Sequence, residues 1–447
     1  MKLRNLSIIA ALALATALPA EERKVWSLQD CIEHALSQNI QLQQNRLSLQ
    51  SAGVDVSQAK AALFPSLSFS SGQNLLNRPF QETSSSVSGT EIISSDSRST
   101  YSGNYQLGAQ WTLWDGGKRR YNIKQKETEE DISELTVEET QNQLKEEITR
   151  LYVQILYAAE SVDINRKTLE TSQATLEQAQ SMFEEGDLSK ADVAQLEAQM
   201  ENDRYQLVTA ENALKNYKLQ LKQLLELDGT EEMELEMLTI SDEKATAMLP
   251  AQADVYSQAV ASRPEIKSSR LSIENAQLAI KTAKAGYMPT ISLSAATSTQ
   301  TNSGSTRNWG QQLKLGWNNS IGLQLNIPIF NQRETKSAVE KAEINYSTSQ
   351  LDLADKQKEL YATIESLWLD AQNAQQQFLA ADSKLKSTRT SFEMVSEQFS
   401  LGIKNTVELL TEKNNMLIAQ QQRIQAKYMA VLDRILLDFY AGEPIRL

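Results

Sequence analysis

The side chains best suited to chemistry are scarce in this chain. It holds one histidine, His34, and one cysteine, Cys31, three residues apart in sequence that reads as helix. A structural metal centre built from His and Cys needs about four ligands, and a zinc-protease helix needs two histidines beside a glutamate. Neither set can be assembled, so Cys31 with His34 reads as helix packing. The many serines have only His34 as an imidazole base, with no motif around it. No Walker-type phosphate loop occurs. No catalytic residue, cofactor site or metal site is assigned, and the chain does not read as an enzyme.

What remains is charge. The formal net charge is -13, and removal of an export signal carrying Lys2 and Arg4 takes it to -15. That balance argues against nucleic acid as a partner, since phosphate binding needs basic neutralisation. The acidic clusters at 127–131, Glu138 with Glu139, and Glu146 with Glu147 read as solvated helix faces. Residues 1–20 place Lys2 and Arg4 before an apolar run at 6–18 and then small residues, the pattern of a secretory signal cleaved after Ala20 or Ala17. One cysteine cannot form an internal disulfide. Beyond the signal no run of about 18 apolar residues is present, so no spanning helix is expected.

The elements that must position these charges follow from an internal repeat. Shifting the chain by 224 positions aligns 45–70 with 269–294, matching Arg46 with Arg270, Lys60 with Lys284 and Pro65 with Pro289. The offset then becomes 216 and holds from Trp114 with Phe330, through Gly186 with Gly402, to Leu221 with Leu437. Each copy reads as helix, strand, strand, long helix, glycine break, return helix. The first copy spans 21–228, with strands at about 66–76 and 101–114, a long helix at 118–184 and a return helix at 189–227. A linker at 229–251 leads to the second, 252–447, with strands at about 290–299 and 312–329, a long helix at 334–400 and a return helix at 404–440. Ser/Thr/Asn/Gly-rich loops at 77–100 and 301–308 join the strands.

Periodicity separates the two kinds of element. Leu313, Leu315, Trp317, Ile321, Leu323 and Leu325 alternate with Gln312, Lys314, Asn318, Ser320 and Gln324, as do Leu107, Trp111 and Leu113 with Gln106, Gln110 and Thr112. In the helices Ile148, Ile155, Val162, Leu169, Leu176 and Phe183 recur every seven residues, as do Ile364, Ala371, Phe378, Leu385, Phe392 and Phe399. Asn165 and Ser172 interrupt the neighbouring stripe of the first helix. A sustained seven-residue repeat specifies a left-handed coiled coil. Residues 118–184 reach about 100 Å at about 1.5 Å per residue, roughly the sum of the two shorter helices of that copy.

Strands with one apolar and one polar face suit a barrel wall in an outer membrane or a soluble sandwich with one solvated face. Strands of this length favour the barrel. Four strands cannot close alone, because small bacterial barrels take about eight and an open edge in lipid leaves backbone groups unsatisfied. The sheet is therefore expected to be one share of a barrel completed by two or three copies. Trp111, Trp114, Trp309 and Trp317 would then be interfacial aromatics, and in the soluble reading core.

The secreted start, the duplicated plan, "LWDGG" and "IPIFNQR" at the starts of the long helices, and the paired glycine breaks resemble the TolC-type outer-membrane efflux proteins. The resemblance covers nearly all of the mature chain. It implies an α+β membrane protein: two tandem helix-strand-strand-helix repeats, four strands given to a shared trimeric barrel of about twelve strands, and a coiled-coil periplasmic tunnel. Implied partners are two further copies in a homotrimer, outer-membrane lipid, a periplasmic adaptor (membrane fusion) protein, and an inner-membrane pump of the RND, ABC or MFS class. The resemblance also implies a periplasmic gate at the tips beside Gly186 and Gly402, with contacts falling on Ala191, Asp192, Phe399 and Lys404. Phe399 stands where the family's best-known member has a tyrosine, and Phe183 and Phe399 also read as the heptad core they continue. Glu408 matches the first of two acids of the family's inner constriction, while Thr411 stands at the second. Glu408 faces either the lumen or solvent in this reading. The alternative to a duct is a coiled-coil stalk with a β head.

Overall fold

The computed structural model describes residues 25–80, 84–88, 91–95, 99–228, 233–238 and 240–447. The segment read as an export signal lies outside them. In chain order the first half comprises β1 (Val25–Trp26), α1 (Leu28–Gln38), α2 (Ile40–Ala61), β2 (Ser66–Asn77), β3 (Ser84–Ser88), β4 (Glu91–Ser95), β5 (Ser99–Trp114), α3 (Lys118–Glu185) and α4 (Lys190–Leu224). The second comprises β6 (Glu234–Leu235), α5 (Asp242–Ala245), α6 (Gln252–Ser262), α7 (Pro264–Lys284), β7 (Thr290–Asn302), α8 (Trp309–Leu315), β8 (Asn318–Asn326), α9 (Glu334–Ser400) and α10 (Thr406–Tyr440). The long helices α3 and α9 have 68 and 67 residues, and α4 and α10 have 35 each. Among the described residues no helix is both long and apolar enough to cross a membrane.

Contacts divide the chain into two compact units. One takes 45–136 and 265–356 and holds the main sheet, in the order β2-β5-β7-β8 with every neighbour antiparallel. Its register sorts residues by face, because directly opposed residues share one. One row runs Phe69, Leu107, Thr297, another Leu67, Ala109, Ala295, Ile321, and a third Trp111, Leu293, Leu323. The opposite face carries Ser70, Gln106, Ser298 and Asn318. The apolar face lies open: Leu67, Phe69, Ile321 and Leu323 are about 70% exposed or more. Strands β2 and β8 are both edges.

The sheet departs from the sequence reading in two places. Residues 312–329 were expected to form one strand, but Trp309–Leu315 is helix and the strand covers only Asn318–Asn326. Asn308 caps this helix through a reciprocal capping box with Gln311, and Gln312 Oε1 and the Leu313 carbonyl accept bonds from Asn302 N and Thr299 Oγ1 of β7. Those local bonds outweigh the alternation of Leu313 and Leu315. In the serine-rich segment read as a loop, β3 pairs with β4.

The strand-to-helix turns are built alike. Asp115 Oδ2 accepts from Arg119 N at 3.2 Å and from Arg119 Nε at 2.8 Å, and Gly116 and Gly117 take positive φ. A Cβ on Gly116 would meet Met288 at 2.5 Å. At the start of α9 the same left-handed places are filled by Gln332 and Arg333, with φ of 51° and 70°.

The other unit takes 1–44, 137–264 and 357–447. The heptad stripe of α3 is its core: Ile148, Ile155, Val162, Leu169 and Leu176 are buried, as are Ile364, Ala371 and Phe378 of α9. Cys31 is fully buried, and the His34 ring packs edge-on to Trp26 at 5.1 Å.

Candidate functional site

The long helices turn back at Gly186 and Gly402, and both turns use the same bonds. Asp187 N donates to the Met182 carbonyl and Gly186 N to that of Phe183; Ile403 N donates to Gln398 O and Gly402 N to Phe399 O. This is a Schellman stop, which needs a left-handed residue after the last helical turn. Gly186 and Gly402 supply it with φ of 90° and 71°, and no atom lies within 4 Å of a Cβ built on either.

Each return helix begins on a polar cap. Ser189 Oγ accepts from Asp192 N at 3.2 Å and donates to Asp192 Oδ2 at 2.5 Å. The Ser189 hydroxyl, and then Thr406 of α10, hold the Asp192 carboxyl below its ordinary range. Asn405 and Glu408 form a reciprocal capping box, and Lys404 Nζ bonds Glu408 Oε1 at 2.6 Å. That lysine, and then the Asn405 backbone, hold Glu408 low. Within one chain Lys404 thus pairs with Glu408, and Asp192 with Ser189. An anionic carboxylate at a helix N-terminus is also favoured by the helix dipole.

Phe399 lies inside the bundle at 1% exposure, in an apolar cluster with Leu169, Leu176, Leu196, Met200, Leu409 and Leu410. Its aligned partner Phe183 is 44% exposed. Trp111, Trp114 and Trp317 are exposed on or next to the sheet, and Trp309 opens α8 with its ring edge-on to Tyr105 at 6.4 Å.

Sequence reasoning missed a buried polar cluster next to the tip. Lys413 of α10, Asp203 of α4 and Ser172 of α3 are each at most 5% exposed. Lys413 Nζ donates to Asp203 Oδ2 and to Ser172 Oγ, Ser172 Oγ donates to Asp203 Oδ2, and Gln199 Nε2 donates to Asp203 Oδ1 at 2.8 Å. Burial pulls the Lys413 ammonium below its ordinary value, and Asp203 opposes that pull. The break at Ser172 in the heptad stripe was the one signal of it in the sequence.

The sheet with its uncovered apolar face and the helices of 67 and 68 residues are the features by which the chain compares with outer-membrane proteins. The chain belongs to the outer membrane efflux protein family, whose model matches residues 31–226 and 255–443. It is similar to the alkaline protease secretion protein AprF of Pseudomonas aeruginosa, 24% identical over 69% of this chain and 64% of AprF. It is also similar to the outer membrane efflux protein BepC of Brucella suis, 21% identical over 96% of this chain and 88% of BepC. With TolC of Escherichia coli it shares 24% identity over 68% of this chain and 62% of TolC. The match thus spans less than two thirds of AprF and of that TolC. Among solved structures, CusC superposes with a TM-score of 0.79 at 18% identity, covering 93% of this chain and 92% of CusC. VceC of Vibrio cholerae gives 0.77 at 16%, covering 94% and 97%. At these identities the structures establish the fold.

Proposed function

We propose that this chain is one third of a homotrimeric exit duct: passive, seated in outer-membrane lipid, and closed at the tips of its periplasmic coiled coil. The observation that carries the reading is the main sheet, with two free edges and an exposed apolar face. In water such a surface invites aggregation. In a membrane the face meets lipid, and β8 of one copy pairs with β2 of the next, giving a barrel of about twelve strands from three copies. Trp111, Trp114, Trp309 and Trp317 then serve as interfacial aromatics.

Exposed apolar residues at heptad spacing, Leu47 with Val54 and Ile344 with Leu351, supply helical seams between copies. At the tips Gly186 and Gly402 make the turns, Asp192, Lys404 and Glu408 supply the charge around the closed end, and Phe399 anchors its hairpin from within. In three copies the Glu408 carboxylates form a collar that attracts cations. A periplasmic adaptor and an inner-membrane pump of the RND, ABC or MFS class supply cargo and energy. The names of AprF and BepC span secretion and efflux, and the duct serves a type I secretion or tripartite efflux system. Purified protein in liposomes tests the reading: ion flux is expected, and flux no greater than in protein-free liposomes overturns it in favour of a stalk.

A further inference from the structure

The tips already have apolar adhesion from Leu169, Leu176, Leu196, Met200, Phe399, Leu409 and Leu410. Beside that cluster, where leucines would continue the pattern, the chain buries an ion pair and a hydroxyl. Ser172 lies between Leu169 and Leu176 on α3, Asp203 three residues after Met200 on α4, and Lys413 three after Leu410 on α10. The three side chains join both helices of the first hairpin to the return helix of the second.

Physical chemistry gives this arrangement a character that leucines lack. An apolar heptad seam specifies its register weakly, and a polar residue at a core position fixes it. A buried ion pair does the same: relative to an apolar pair it adds little net stability, yet separating its partners without hydration leaves two uncompensated charges. The Asp203 carboxylate is engaged at both oxygens, by Lys413 and Ser172 on one and Gln199 on the other. Displacing α10 along its axis separates Lys413 from Asp203 and Ser172 together, so the contact is made or broken as a unit.

We infer that Lys413, Asp203 and Ser172 form an internal latch, which holds α10 of the second hairpin against α3 and α4 of the first and must be broken and hydrated before the hairpins part. The inference rests on the gated-duct reading and adds to it a lock inside each chain, separate from the charged residues of the tip. It makes opening a two-state event rather than a graded one.

Single-channel recording of the intact protein in planar bilayers tests it. Asp203→Asn and Lys413→Met are each expected to raise open probability at least tenfold at unchanged unitary conductance, and Ser172→Ala, which leaves the ion pair in place, about threefold. The charge-swapped pair Asp203→Lys with Lys413→Asp is expected to close again relative to either swap alone. A purely structural role predicts a lower melting temperature with wild-type open probability in all three single variants, and that result overturns the latch. If the charge variants do not assemble, Ser172→Ala decides by itself, and an unchanged open probability overturns the inference. Asp192→Ala and Lys404→Ala are recorded alongside. If these tip variants open the channel and the buried variants do not, the latch alone fails; if none of the five changes gating, the gate reading fails with it.

Discussion

Residues held at positive φ share one backbone demand and meet it at different cost. Gly186 and Gly402 take the left-handed conformation freely, whereas Glu226, Gln332 and Arg333 adopt it with side chains, at φ of 57°, 51° and 70°. A left-handed residue other than glycine costs on the order of 1 kcal/mol. Gly402→Ala is accordingly expected to lower stability by about 1 kcal/mol, with Gly402→Asn milder, as read by thermal unfolding. Glu226 has a return for its strain, since its Oε1 accepts from Ile40 N at 3.3 Å. Asp433 is a different case: it is buried on α10 with its Oδ2 unpartnered. Burial first, then the charge of Asp370, push its pKa up to about 6, against the pull of Arg150. The folded chain therefore binds this proton more tightly than the unfolded one, and stability falls as pH rises from about 4 to about 6. Asp433→Asn is expected to stabilise the fold at pH 7.5 by on the order of 2 kcal/mol and to have no effect below pH 4. A melting series across that range checks both halves.

Among the elements, the long helices were the most legible. Their seven-residue stripe survives in the structure as a buried row from Ile148 to Leu176, because a repeat sustained over that length has one packing solution. Ile155 is fully buried in that row. Ile155→Ala is expected to cost about 2–5 kcal/mol, and hydrogen exchange should quicken in the amides of α3 around it. The strands were legible as faces but less so as lengths. Period two in Gln312, Leu313, Lys314 and Leu315 persists whichever way the backbone turns, and the Asn308–Gln311 capping box took those residues into α8. The tip glycines were visible in sequence because positive φ selects glycine. The latch was not, because a lysine in a heptad reads as a solvent-facing residue until a partner 210 positions away is placed against it.

At the scale of the whole molecule, what a single chain leaves uncovered defines what it must meet. The apolar face of the sheet calls for lipid, and the stripe of Ile344 and Leu351 on α9 calls for another helix. Ile344→Glu with Leu351→Glu is expected to turn the proposed trimer into single chains that keep their helix content, as measured by sedimentation and circular dichroism in detergent; a stable trimer would place the seam elsewhere. The central claim, a pore through the outer membrane closed at its coiled-coil tips, is tested most directly by single-channel recording of the purified protein beside its Asp192→Ala, Lys404→Ala double variant. A cation-preferring channel is expected, mostly closed in the wild type and open far more often in the variant. Absence of any channel, or identical gating of the two proteins, would contradict it.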